Sequence, residues 1–168
     1  MQNYTSANTS INSTKVPAVF KKVKWVPGTY NLDLGGGKYD TATEYLNTLK
    51  VSNLIIDPYN RSEAYNNMMV DLIDIVGGVD TCTLSNVLNV INDKDARADV
   101  LADAWLKLKK GGTLYVTVYE GDKSFIGRRT KSDCWQNNCP LKYYLKEVYD
   151  IFDNATIHNG MIIAHKEV

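Results

Sequence analysis

Two acids and three consecutive glycines stand at spacings that suit a ligand site. Asp33 precedes Gly35, Gly36 and Gly37, and Asp57 follows Gly37 by twenty residues. Glycines directly after a strand let the backbone approach a ligand closely, and an acid that ends the next strand can accept both hydroxyls of a ribose. A dinucleotide fingerprint, Gly-x-Gly-x-x-Gly, would need its third glycine where Asp40 stands. An acid at a helix N-terminus also fills the place a phosphate would take, and no phosphate-binding Lys-Ser/Thr pair follows the glycines. Two acids without phosphate ligands favour a nucleoside that carries positive charge. A plain strand-to-helix turn for the glycines, and a carboxylate satisfied by loop amides for Asp33, are the alternatives.

A second cluster follows in residues 123–136. Arg128, Arg129 and Lys131 are placed to hold phosphates, and Trp135, beside Gln136, to stack on a base, which suits a nucleotide or nucleic acid. A solvated basic loop with Trp135 as its packing anchor fits the same residues equally well. If an acceptor must lose a proton, Tyr119, Glu120 or this loop is where to look. Cys134 lies near these cations but reads as a bystander thiol.

The elements that must position these residues follow an alternating pattern. A short strand over 29–34 ends at the glycines, and Asp40 is a cap candidate for a helix carrying Ala42, Tyr45, Leu46 and Leu49 on one face. Residues 51–57 form a buried strand ending at Asp57 and Pro58, followed by a helix from Ser62 to Gly77 and Gly78. A third strand over 80–85 leads to Ser85 and Asn86, and Asp93 or Asn92 caps a helix whose Lys107, Lys109 and Lys110 complement its C-terminal dipole. Residues 113–118 are the clearest strand, and 120–138 read as a long loop. Pro140 opens a helix bearing Leu141, Tyr144, Leu145, Val148 and Phe152, and Asn159 and Gly160 join a hairpin over 155–158 and 161–165. Residues 15–25 suit a short helix or turn on the domain edge. The expected fold is α/β, a mostly parallel Rossmann-like sheet with an antiparallel hairpin at its C-terminal end.

The chain's 168 residues, 44% hydrophobic and 23% charged, fill one domain over 15–168, with an Asn/Ser/Thr-rich flexible tail over 1–14. Nineteen Lys and Arg balance nineteen Asp and Glu. No global field draws the protein to nucleic acid or an anionic membrane, so any such contact is local. No apolar run approaches the roughly 18 to 20 residues that cross a bilayer, and no signal peptide is evident, so a cytoplasmic protein without membrane contact is expected. On that reading the sequons at Asn3, Asn8, Asn12 and Asn154 are accidental. Cys82, Cys134 and Cys139 lack metal-ligand spacing, and His158 and His165 lie far from two of them, so reduced thiols and no metal site are expected.

These residues carry a resemblance. Asp33-Leu34-Gly35-Gly36-Gly37, Asp57-Pro58-Tyr59 and Ser85-Asn86-Val87-Leu88-Asn89-Val90-Ile91 resemble class I S-adenosylmethionine-dependent methyltransferases over about residues 29–165. The sequence looks closest to small phage or mobile-element methyltransferase-like proteins. It is similar to those associated with DNA phosphorothioation through Asp-Pro-Tyr, Val-Leu-Asn-Val-Ile, Gly127-Arg128-Arg129-Thr130 and Trp135-Gln136. S-adenosylmethionine, with its ammonium and sulfonium groups, is also the kind of cationic nucleoside that the two acids favour.

The resemblance implies that Gly35, Gly36 and Gly37 border the methionine part, Asp57 the ribose, and Tyr59, Ser85 and Asn86 the adenine. It implies methyl transfer to an unidentified acceptor, with a nucleotide or nucleic acid as a candidate. A non-catalytic scaffold of phage or mobile-element origin that binds S-adenosylmethionine or a protein is the alternative. A nicotinamide oxidoreductase is disfavoured by Asp40. No room exists before Asp80 for the family's third strand and helix, so the sheet should lack one edge strand and run 2-1-4-5-7-6 in family labels. The motifs of exocyclic-amine and cytosine-C5 DNA methylation are absent from the sequence.

Overall fold

A computed structural model describes Tyr4 and residues 15–168. The tail expected over 1–14, with three of the four sequons, therefore lies outside the described residues except at Tyr4. The helices are α1 (Ala18–Lys22), α2 (Thr41–Thr48), α3 (Glu63–Val76), α4 (Lys94–Lys107) and α5 (Leu145–Phe152). The strands are β1 (Tyr30–Leu34), β2 (Ser52–Ile56), β3 (Val79–Ser85), β4 (Leu108–Thr117), β5 (Arg128–Lys131), β6 (Cys134–Gln136), β7 (Thr156–His158) and β8 (Met161–His165).

Six strands form one sheet in the order β2-β1-β3-β4-β8-β7. The pairs β1–β2, β1–β3 and β3–β4 are parallel, and β8 is antiparallel to both β4 and β7. This is the expected mostly parallel α/β fold, with β2 at the edge where a further strand was expected to be missing. The reason is local: α3 ends at Gly77 in the left-handed conformation, Gly78 N–H bonds back to the Ile73 carbonyl, and β3 starts at the next residue.

Alternation along β1 divides the two faces. Leu32 and Leu34 join the larger apolar cluster, with Met69 and Ile73 of α3, Leu101 and Ala104 of α4, and Val148 and Phe152 of α5. A smaller cluster on Val19, Phe20, Ala42 and Leu46 holds α1 and α2. Asn31 and Asp33 point to the face opposite Leu32 and Leu34, and both are buried. Side chains thus sort before any site is considered: one face of β1 is oil, the other is polar.

The capping expectations hold for α3, where Ser62 Oγ accepts from Tyr65 N–H, and for α4, where Asp93 accepts from Asp95 N–H. Asp40 precedes α2 but makes no side-chain cap, because its carboxylate turns to Arg61 at 2.8 Å. The stretch after α4 also departs from expectation. β4 begins at Leu108, so Lys109 and Lys110 are strand residues, and Lys109 pairs with Asp80 at 3.2 Å. Val79 pairs with Leu108 before a register shift, with Gly111 at φ 80° inside the shifted segment. Residues 120–138 are not wholly a loop, since β5 and β6 pair there as an antiparallel hairpin. Its bulged register and exposed β5 hid the alternation that would have marked it.

One buried ion pair fixes the far wall of the fold. The Arg97 guanidinium on α4 meets Glu147 of α5 through two bonds of 2.7 and 2.8 Å, and also donates to the carbonyls of Ile91 and Asn92. It thereby ties the loop after β3 to α5. Removing one partner of a buried pair leaves the other charge uncompensated. Glu147→Gln should therefore lower stability in urea unfolding by about 3 kcal/mol; a change below about 1 kcal/mol would mean that Arg97 is satisfied by the carbonyls alone.

Candidate functional site

The polar face of β1 leads into the site. Asn31 Nδ2 donates to Asn53 Oδ1 at 2.8 Å and to Thr83 Oγ1 at 3.1 Å, while Thr81 Oγ1 donates to Asn31 Oδ1 at 2.8 Å. Thr83 in turn donates to Asp33 Oδ1 at 3.2 Å. A row of amides and hydroxyls therefore crosses β2, β1 and β3 and ends at the Asp33 carboxyl. Burial pushes that carboxyl up to about 7, against the Thr83 hydrogen bond, which pulls it down; the neighbouring Asp57 adds to the rise.

The turn after β1 is shaped around this acid. A Cβ on Gly36 would come 2.5 Å from Asp33 Oδ2 and 3.0 Å from Ile55 Cγ2, so only glycine lets the chain cross the carboxylate. At Gly35, φ is +74° and a Cβ would meet Val87 Cγ2 at 2.7 Å. Val87 follows Asn86, which turns the chain out of β3 in the left-handed region at φ 57°. The first and third strand ends therefore interlock.

Asp57 joins the first and second. Its Oδ2 accepts from Gly37 N–H at 2.8 Å and Asn60 Nδ2 at 3.1 Å; its Oδ1 accepts from the N–H groups of Tyr59 and Asn60 at 3.0 and 3.1 Å. Asn66 brackets its main chain, accepting from Asp57 N–H at 2.9 Å and donating to its carbonyl at 3.0 Å. Arg61 completes the clasp, donating to the carbonyls of Gly37 and Tyr39 at 2.8 and 3.0 Å.

Two adjoining cavities open over these strand ends. One, of about 370 Å³, is lined by Pro58, Tyr59, Val87 and Ile91 among others; the second, of about 420 Å³, by Asp33, Gly36, Gly37, Ser85, Tyr119, Lys131, Trp135 and Gln136 among others. They share Gly35, Asp57, Asn60, Asn86 and Val90. All nine candidate donor-site residues thus line one or both of these adjoining cavities, which together form the cleft. Of the substrate-facing candidates, Tyr119, Lys131, Trp135 and Gln136 line it, whereas Arg128 and Arg129 on exposed β5 line neither cavity. Gln136 is buried, accepting from Asn89 Nδ2 and donating to the Tyr119 carbonyl, so it props the wall. Glu120 accepts from Leu141 N–H at 2.8 Å and caps the turn before α5, a structural task that the proton-acceptor reading did not foresee.

Sequence reasoning missed Asn60, Arg61 and Asn66. Their signal is only their nearness to Asp57 in sequence, and their partners emerge once α3 folds back. Cys82, Cys134 and Cys139 are free and buried, and burial pushes the Cys82 and Cys139 thiols up. Among the described residues no group of three or more His, Cys, Asp or Glu could hold a metal, and no helix is long and apolar enough to cross a membrane.

Neither a protein-family model nor a curated protein matches this sequence. Solved structures do match its fold. The 1,6-didemethyltoxoflavin-N1-methyltransferase of Burkholderia thailandensis, seen with 1,6-didemethyltoxoflavin and S-adenosylhomocysteine, is 14% identical. Its TM-score is 0.63 over 84% of this chain and 72% of that one. A sugar N-methyltransferase from Streptoalloteichus is 13% identical, with TM-score 0.52 over 83% and 81%. An S-adenosylmethionine-dependent methyltransferase of Methanosarcina mazei is 14% identical, with TM-score 0.56 over 90% and 98%. At these identities the likeness establishes the fold, the Rossmann-like fold of S-adenosylmethionine-dependent methyltransferases.

The cleft's chemistry fits a cationic nucleoside. Asp33 is buried at its floor, where the Thr83 hydroxyl and the Asn53 side chain hydrogen-bond it and Arg61 acts on it through space without forming an ion pair, so an arriving ammonium would supply a direct counter-charge. That arrangement weakens the free protein. Below pH about 4 Asp33 is protonated in both folded and unfolded chains; between about 4 and 7 only the unfolded chain releases the proton, so stability falls with pH and levels off above 7. Asp33→Asn should remove this slope, its stability relative to the parent rising by on the order of 4 kcal/mol from pH 4 to pH 8 in urea titrations. A pH-independent difference between the two proteins would contradict the burial account.

Proposed function

We propose that the cleft holds S-adenosylmethionine and that the protein transfers its methyl group to an acceptor entering from the β5–β6 side. The observation that carries this reading is the buried Asp33 carboxyl, held without an ion-pair partner among the described residues beside a glycine turn, in a fold shared with methyltransferases seen with S-adenosylhomocysteine. The cofactor would supply an electrophilic methyl on a sulfonium: the acceptor's lone pair forms the new bond while the carbon–sulfur pair returns to sulfur. The chain's own task is placement. Asp33 faces the amino-acid ammonium, Gly35 to Gly37 border the methionine chain, Asp57 meets the ribose, and Pro58, Tyr59, Ser85 and Asn86 flank the adenine. Alignment in a dry cleft supplies much of the acceleration such a displacement needs.

The two Asp57 oxygens already accept four N–H bonds, one of them from the Asn60 side chain. A ribose hydroxyl would take the place of Asn60 Nδ2, the one side-chain donor of the four. The basic hairpin and Trp135 favour a nucleotide or nucleic acid as acceptor class, in a protein that works in the cytoplasm without membrane contact.

Calorimetry with S-adenosylmethionine should show one site per chain. Asp57→Ala should weaken binding about a hundredfold, by losing the ribose contact and the clasp on Gly37, while Asn60→Ala stays within about threefold of the parent. Affinity should rise with pH from 5 to 7, because the cation binds ionised Asp33, and flatten above. Absence of binding, or binding indifferent to Asp57, would refute the assignment of the cleft.

A further inference from the structure

Among the described residues three buried side-chain oxygens have no hydrogen-bond partner: Oδ1 of Asn89, of Asn92 and of Asn138. An acceptor buried without a donor opposes folding, so each asks for a reason. Asn92 and Asn138 line neither cavity. Asn89 lines the larger one with Tyr119, Trp135 and Gln136, does not line the smaller, and is only 2% exposed. Of the three oxygens, its own alone belongs to a residue that a ligand in the cleft would touch.

The neighbours of Asn89 fix which end of its amide is the oxygen. Gln136 Nε2 donates to the Tyr119 carbonyl at 2.8 Å, and because a carbonyl only accepts, the Gln136 oxygen faces away from it. Asn89 Nδ2 donates to that oxygen at 3.0 Å, which leaves Oδ1 as the end without a partner. The main chain is pinned as well. The Asn89 carbonyl accepts from Asn137 N–H at 2.9 Å, and Asn137 Nδ2 donates to the carbonyls of Leu88 and Ile91 that flank it, at 2.9 and 3.0 Å. The oxygen is thus a fixed and neutral acceptor, in place before any ligand arrives.

Its neutrality selects the chemistry it can serve. An amide oxygen orients an N–H or O–H group but takes no proton from it. Among the described residues lining the larger cavity there is no histidine, and its two carboxylates, Asp33 and Asp57, are those assigned to the methyl donor. A hydroxyl that must shed its proton before attack finds neither of these usual bases free. An amine needs none at that stage, since its nitrogen keeps an N–H for Asn89 while its lone pair points elsewhere.

We propose that the methyl-accepting atom is a neutral amine nitrogen, bound through its N–H to Asn89 Oδ1. This rests on the methyltransferase reading and names the class of nucleophile. The nitrogen lone pair forms the new nitrogen–carbon bond, the carbon–sulfur pair returns to sulfur, and the methylated ammonium then releases its proton to water.

The test uses the full chain. S-adenosylhomocysteine is titrated first: no binding would remove the methyltransferase reading and this proposal with it, whereas binding isolates the question of the nucleophile. S-adenosylmethionine with a labelled methyl is then offered with aniline, phenol, thiophenol and benzoate, which share one ring and differ in the nucleophile, and with adenine and cytosine as amine-bearing bases. Label should enter at least one amine and none of phenol, thiophenol and benzoate. This comparison needs no variant, so it decides even if a substitution at a buried position fails to fold. Asn89→Leu, similar in size but without an acceptor, should lower amine methylation at least about tenfold, with S-adenosylhomocysteine affinity within about threefold of the parent. Asn89→Asp, which keeps an oxygen at this position, should hold methylation within about threefold. The proposal is overturned if S-adenosylhomocysteine binds and no amine is labelled, or if phenol, thiophenol or benzoate is labelled instead. Equal loss in Asn89→Leu and Asn89→Asp would overturn it too, by making Asn89 a structural residue.

Discussion

The bond from Gly37 N–H to the Asp57 carboxylate sets the distance between the first two strand ends, and the cleft's geometry depends on it. The same carboxylate gathers the amides of Tyr59 and Asn60, while Arg61 grips the carbonyls of Gly37 and Tyr39 from the other side. Two loops that parallel strands would leave independent become one rigid rim. Val87 pressing on Gly35 adds the third strand end. A ligand seated across β1 and β2 therefore meets a surface already formed, which limits the ordering cost of binding.

Beneath that rim lies a trade between stability and function. Asn31, Asn53, Thr81 and Thr83 occupy positions that a purely structural sheet would fill with aliphatic side chains, and they serve to carry hydrogen bonds toward Asp33. Burial of the acid at the end of the row outweighs the pull of Thr83 and Arg61, so its ionisation opposes folding at neutral pH. The opposite face packs the larger apolar cluster against α3, α4 and α5. The polar row shares its face with the smaller apolar cluster that holds α1 and α2, so packing supports both faces of the sheet.

Much of this was legible in the residues. Strand, glycine turn and helix followed from Leu32, Leu34 and Gly35 to Gly37; the hairpin turn followed from Asn159 and Gly160, both at positive φ; and the parallel order followed from the alternation of elements. Pairwise tertiary choices were not legible. Asp40 had the chemistry of a cap, yet a cation twenty-one residues away drew it off; Glu120 was read as a candidate proton acceptor, and its bond from the Leu141 N–H was not foreseen. The hairpin of β5 and β6 escaped because its exposed strand carries Arg, Arg, Thr and Lys, with no apolar face to reveal a period of two. Local pattern names an element, but the partner of a polar side chain is decided in three dimensions.

On the proposed reading, the shared fold is the scaffold and the buried Asp33 carboxyl meets a cationic ligand. The measurement that tests this most directly is a carbon-13 NMR titration of the Asp33 carboxyl in the free and S-adenosylmethionine-saturated protein. The free protein should titrate near 7, and saturation should bring the midpoint down into the ordinary carboxylate range, because a bound ammonium favours the ionised form. A midpoint that stays near 7 at full saturation would show that the cation does not sit against Asp33, and the central claim would be wrong.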